Sequence, residues 1–285
     1  MKIEQVEQPS LFVAEHQERN PRCIQDIMAY PYFALSKRRR IKPMHFASAK
    51  GDIEIKIHGL PEFGIASIYD ADILLWLATE VRRQYEKIGT INRTVFFNPR
   101  TMLKQIGKSK GGRQIDTLKS ALLRLSTNFI RTTVRTEHQR KEGGFHWLDN
   151  WTTAEDRKTG EPNGLWSATL NDWLVQGIVQ DHNILTLNPA YFRMSSGLEK
   201  RLYQIARKHA GMQQFGMHIT MESLHAKTGS GDTLKQFAWE VRNIAKEKGS
   251  LLDYTVSVDQ YSDTEKVWFR HQSFILDATS RKAIH

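Results

Sequence analysis

Cysteine is almost absent: Cys23 is the one thiol in 285 residues. An intramolecular disulfide and a cysteine-cluster metal site are therefore excluded, and the composition fits a reducing compartment. No apolar run approaches the ~18 residues that a membrane span requires. Residues 1–17 carry Glu4, Glu7 and Glu15 where a secretory leader would carry an apolar stretch. A cytoplasmic protein with no membrane partner is expected. The eleven histidines are scattered without metal-ligand spacing, so no metal and no cofactor is expected. Gly107 and Gly112 have the glycine spacing of a phosphate-cradling loop, but Arg113-Gln114 stands where that loop needs Lys-Ser/Thr. Asp70 and Asp72 are two residues apart on a helical stretch and point to different sides, so they do not make a carboxylate pair by themselves. The chain is expected not to be an enzyme, and a DNA-nicking activity is the enzymatic alternative to be tested.

What the chain has in excess is positive charge, with 41 Lys and Arg against 31 Asp and Glu, a net +10. Clustered cations release the counterions condensed on phosphates, so a polyanion, above all nucleic acid, is the partner this balance favours. A length of 285 residues suits two domains of roughly 100–150 residues.

Periodicity supplies the elements. Ile53, Ile55 and Ile57 alternate with Glu54, Lys56 and His58, the period of a half-buried strand. Ser67 and Asp70 have capping-box spacing ahead of a long apolar helix that Gly89 ends. A strand at 94–97, a short helix opened by Asn98 and Pro99, a turn at 108–112 and a third helix at 116–126 follow. Ile115, Leu118, Leu122 and Leu125 share one face of that helix. Extended segments at 129–136 and 145–151 complete the series. The same order recurs from Leu198: helix 198–209, strand 217–220, short helix 221–227, turn 228–231, third helix 232–247, and extended segments 254–258 and 267–271. Asp116-Thr117-Leu118-Lys119 recurs as Asp232-Thr233-Leu234-Lys235, 116 residues later (232 − 116), which supports an internal duplication. This order is that of a winged helix. The expected fold is α+β with two tandem winged-helix domains. Their expected bounds are a flexible arm 1–26, a first domain 27–153, a connection 154–164, a second domain 165–277 and a tail 278–285.

In a helix-turn-helix the last helix enters the major groove, while turn and wing hold phosphates. On the second third helix, Leu234, Phe237, Ala238, Val241 and Ile244 are expected to face inward. Lys235, Trp239, Arg242 and Lys246 then point outward, flanked by Gln236 and Asn243. Amides suit adenine edges and arginine suits guanine, so this is the expected base-reading surface. Lys227 and the second wing, with Tyr261, Ser262 and Lys266, are expected at phosphates. In the first domain, Lys104, Lys108, Lys110, Arg113, Lys119 and Arg124 are the expected backbone contacts, joined by the run Lys37, Arg38, Arg39 and Arg40. Leu123 shares the outward side of the first third helix and is expected to mark a protein interface. Trp147, Trp151, Trp166 and Trp173 are read as core and junction packing in preference to a stacking platform for single strands.

The runs Tyr32-Phe33-Ala34-Leu35-Ser36-Lys37-Arg38-Arg39 and Gly64-Ile65-Ala66-Ser67-Ile68-Tyr69-Asp70-Ala71-Asp72-Ile73-Leu74 resemble the replication initiator A proteins of plasmids, and the resemblance extends over about residues 25–275. It implies a bacterial initiator that binds repeated origin sequences, called iterons, in double-stranded DNA and promotes local opening, with a replicative helicase and a host initiator as partners. It implies as well homodimerisation through the first domain, residues 232–246 as the iteron-reading helix, and residues 116–126 as its counterpart. A transcriptional repressor on the same fold is the alternative that the residues leave open.

Overall fold

The computed structural model describes residues 20–134, 143–261 and 264–275. The described chain starts with β1 (Arg22–Ile24) and α1 (Gln25–Ala29), then β2 (Met44–Ala47) and β3 (Glu54–His58). α2 (Ile68–Ile88) follows, opened by the expected capping box: the Ser67 side chain accepts from the Asp70 N–H, and the Asp70 carboxylate accepts from the Ser67 N–H. It closes at Gly89, whose φ of 70° suits a residue without Cβ. Then come β4 (Thr94–Phe97), α3 (Pro99–Gln105), capped by Asn98, and α4 (Gly112–Thr127). They lead into β5 (Phe129–Thr132), β6 (Gly143–Phe145), β7 (Leu148–Thr152), β8 (Trp166–Leu170), α5 (Asp172–Val179) and β9 (Ile184–Thr186). The second series is α6 (Gly197–His209), β10 (Met217–Thr220), α7 (Met221–Thr228), α8 (Leu234–Glu247), β11 (Ser250–Leu251), β12 (Tyr254–Tyr261) and β13 (Thr264–His271).

The sheets show the duplication more sharply than the sequence does. β4, β8 and β7 form one antiparallel sheet in that spatial order, and β10, β13 and β12 form the other, with β11 added at its edge. Each time a first strand precedes the two short helices, and the returning strand of a hairpin pairs beside it. That is the winged-helix plan twice, with α2 matched to α6, α3 to α7 and α4 to α8.

Three expected boundaries do not survive this pairing. The first wing is the β7–β8 hairpin, so residues 154–164 are its tip instead of a connection, and 166–170 belong to the first unit's sheet. The segments taken from sequence as the first wing split: β5 and β6 pair with each other and with β3, in a separate sheet ordered β2-β3-β5-β6. Residues 22–26 are not a loose arm, because β1 pairs antiparallel with β9 and Cys23 and Ile24 are buried.

The repeated tetrapeptide is out of structural register. Asp116–Lys119 lies inside α4, whereas Asp232 precedes Thr233, the N-cap of α8. Measured between the N-caps Gly111 and Thr233, the spacing is 122 residues (233 − 111). The duplication therefore stands on element order, and the tetrapeptide does not mark equivalent positions.

The buried residues form one apolar cluster that runs through both units. Aromatic packing dominates the first: Trp147 lies 5.1 Å from Phe33 and Trp173 lies 4.6 Å from Phe145, both stacked. Trp147 and Trp166 are fully buried, as core packing requires. Polar groups fix the seam between the units. Lys200 on α6 donates to both oxygens of Asp72 on α2 at 2.6 and 2.7 Å, and neither side chain is exposed to solvent. Burial pushes the Asp72 carboxyl up to about 6 against the pull of Lys200, and burial lowers the Lys200 ammonium. Arg201, also buried, donates to the carbonyls of Ile27 and Met28 near the end of α1 and to that of Lys227 near the end of α7. These helix C-terminal carbonyls carry partial negative charge. Desolvation lowers this guanidinium to about 10.

Candidate nucleic-acid interface

α8 presents the surface that the sequence singles out. Phe237, Ala238 and Val241 are buried, which turns the opposite side of the helix to solvent. Lys235, Gln236, Trp239, Arg242 and Lys246 are exposed and Asn243 is half-buried. Trp239 stands out at 61% exposure. Among the described residues, Lys235 and Lys246 hold no carboxylate. Leu234, expected on the inward face, is instead 38% exposed. It is the first residue of α8, one turn before the buried Phe237–Ala238 pair, and it lines a cleft with Lys235, Arg242 and Glu265.

Arg242 is not free. Its Nε donates to Glu265 Oε1 at 2.6 Å and its Nη2 to Oε2 at 2.8 Å, a two-point fork onto the second wing. This hydrogen bonding raises the guanidinium further above its ordinary value. Lys266 follows on β13 opposite Thr220. Tyr261 ends β12, and Ser262 lies outside the described residues. Lys227 is drawn back to the seam, 5.4 Å from the Tyr30 ring centroid, and burial with neighbouring Arg201 and Lys208 lowers its ammonium.

The first unit is more occupied by its own acids. Arg124, expected to point outward, forks onto Asp70 at 2.7 and 2.9 Å and ties α4 to α2. Those bonds raise its guanidinium. Lys119 pairs with Glu155 of the first wing at 2.8 Å, and Arg100 pairs with Glu161 of the same wing tip. Lys104, Lys110 and Arg113 are exposed. Leu123 is half-buried. The larger exposed apolar side chains are elsewhere, Phe215 at 79% among them.

Of the early basic run, Arg39 donates to the Glu62 carbonyl at 2.8 Å and Arg40 reaches across the seam to the Gly229 carbonyl. Arg38 and Lys37 are exposed. Lys37 and Lys108 come within 4.9 and 5.9 Å of the Tyr69 ring centroid, and the Tyr69 hydroxyl donates to the Ser195 carbonyl at 2.8 Å. Sequence reasoning named both lysines and missed Tyr69. It missed Glu265, an acid in the expected second wing facing a cationic helix, and it missed Glu155 and Glu161, which the misplaced first wing hid. Among the described residues, no group of three or more His, Cys, Asp or Glu could hold a metal ion. No helix in them is long and apolar enough to cross a membrane.

Fold and surface together describe tandem winged helices whose second unit exposes a cationic, aromatic-bearing third helix. One solved structure shares the fold. A crystal structure of domains 2 and 3 of RctB superposes with a TM-score of 0.63 at 16% identity, covering 87% of this chain and 98% of that one. A Pi initiator protein in complex with iteron DNA gives a TM-score of 0.45 at 16% identity, over 70% of this chain and 92% of that one. A protein of Wigglesworthia glossinidia brevipalpis described as "Putative replication protein" is 29% identical over 239 residues, 83% of this chain and 84% of its own length. The replication initiator protein A family matches residues 24–256. The chain belongs to that family, and a replication initiator is what its membership makes it.

Proposed function

We propose that this initiator acts by binding repeated origin sequences in duplex DNA, with α8 in the major groove. The first unit adds phosphate contacts through Lys37, Arg38, Lys104, Lys108, Lys110 and Arg113. The observation that carries this reading is the outer face of α8. Two lysines that hold no carboxylate among the described residues, a glutamine and a 61% exposed tryptophan sit on a helix whose other side is buried. Tryptophan is enriched at interfaces, where its ring supplies a large contact area with a polar edge. Lysines at the two ends of that face suit flanking phosphates, and Gln236 suits an adenine edge. Binding of several copies would bend and underwind an adjacent segment, a deformation of a few kcal/mol that added contacts repay. The opened segment is then a substrate for helicase loading.

The test uses the full chain and the origin of the replicon that encodes it. Footprinting is expected to protect spaced repeats. Lys235→Ala and Trp239→Ala are expected to weaken binding about tenfold or more, the effect of losing ~1.4 kcal/mol or more. Permanganate reactivity of a supercoiled plasmid beside the repeats reports opening. Protection without reactivity would move the reading to a repressor, and magnesium-dependent nicking would move it to an enzyme.

A further inference from the structure

We infer that Glu265 of the second wing is a positioning residue that reserves Arg242 for a base edge and withholds it from the phosphates. This rests on reading α8 as the DNA-contacting helix. An arginine has five N–H donors in a fixed plane. Glu265 takes the Nε–H and one Nη2–H at 2.6 and 2.8 Å, which leaves the end-on edge, one Nη1–H and one Nη2–H, and a second Nη1–H beside Cδ. That edge can donate to the two acceptors O6 and N7 of a guanine. The Arg242 side chain is 52% exposed and Glu265 only 17%, so the guanidinium is the more accessible partner of the pair.

The pair is also close to electrically neutral. A phosphate has less reason to capture Arg242 than Lys235 or Lys246, which carry no carboxylate among the described residues. Orientation and charge cancellation thus act together: the wing glutamate converts a general polyanion binder into a geometric reader. The first unit repeats the device, with wing residue Glu155 on Lys119 of α4. There the cation is a lysine, which has no planar fork to present. This places guanine-type discrimination in the second unit.

The test compares the full wild-type chain with Glu265→Gln and Arg242→Lys, each checked for folding by thermal unfolding. The probes are a duplex enriched from a random-sequence pool by the wild-type chain and a shuffled duplex of equal length. Two quantities are read: the affinity ratio between the duplexes and the slope of log K against log salt. Glu265→Gln frees a cation, so the ratio is expected to fall about tenfold, within the range of one bidentate base contact. The slope is expected to steepen by about 0.9, one more phosphate neutralised. Arg242→Lys keeps the charge pair and loses the fork, so the ratio should fall and the slope stay. A wild-type ratio in either variant overturns the inference. So does an equal loss on both duplexes at unchanged slope, which marks a mere structural brace. A wild-type chain that does not distinguish the duplexes overturns the reading of α8 and this inference with it.

Discussion

Replacing Asp72 by Asn would leave the Lys200 ammonium with no anion in a place where neither partner is exposed. Removing one partner of a buried pair costs about 3–5 kcal/mol, because the surviving charge is left uncompensated. The contact of the ammonium with the Tyr191 ring, centroid 4.4 Å away, is common to both chains. The expected loss is therefore about 3–5 kcal/mol. Removing both charges together, as Asp72→Leu with Lys200→Met, fills the space with apolar groups. It should return stability to within about 1 kcal/mol of the wild type or above it, as replaced buried pairs do. The assay is urea unfolding followed by tryptophan fluorescence and by far-ultraviolet circular dichroism. Because the pair joins α2 of one unit to α6 of the other, the single variant should also pull the two probes' transitions apart. A loss under 1 kcal/mol for Asp72→Asn, or a double variant no better than the single one, would refute the reasoning.

Acid should weaken the fold through His209. Burial, with Lys227, Lys208 and Arg201 nearby, lowers its imidazole to about 4. The depressed folded-state value means that its contribution is present above about 6.5 and is lost as pH falls towards 4. At ~1.4 kcal/mol per pKa unit, discounted for partial exposure, that is about 1–2 kcal/mol. His209→Gln should flatten this limb in urea midpoints measured at pH 7 and 4.5, and an unchanged pH dependence would exclude the assignment. The shift of Asp72 acts in the opposite sense over the same range and cancels in that comparison. Gly197→Ala should destabilise by about 1–3 kcal/mol, the cost of overpacking, since an added Cβ would meet the Leu35 carbonyl oxygen at 2.1 Å. A thermal midpoint equal to the wild type's would contradict that close approach.

The amphipathic elements were legible in the sequence because burial imposes a period on them. The capping box at Ser67, the αL stop at Gly89, and the strands at 94–97 and 217–220 follow from local chemistry, and the structure has them all. Sheet membership was not legible, since nothing local tells β5 that its partners are β3 and β6 while β7 turns to β8. The wing was accordingly assigned one hairpin too early. Among the outward cations, charge alone did not separate Lys235, which meets no carboxylate among the described residues, from Arg124, which is consumed by Asp70. The difference lies in the opposing element, 54 residues away in the chain.

β1 joins to β9 a segment synthesised more than 150 residues earlier, and Arg201 then grips the carbonyls of Ile27 and Met28. Both contacts demand that most of the polypeptide exist before its opening segment can settle. Nascent chains from which residues 184–209 have yet to emerge would leave Cys23, Ile24, Ile27 and Met28 incompletely covered. Non-local closures of this kind are slow and expose nascent chains to aggregation. The two winged helices, duplicated in plan, are therefore not independent in maturation: the first is finished only by the second.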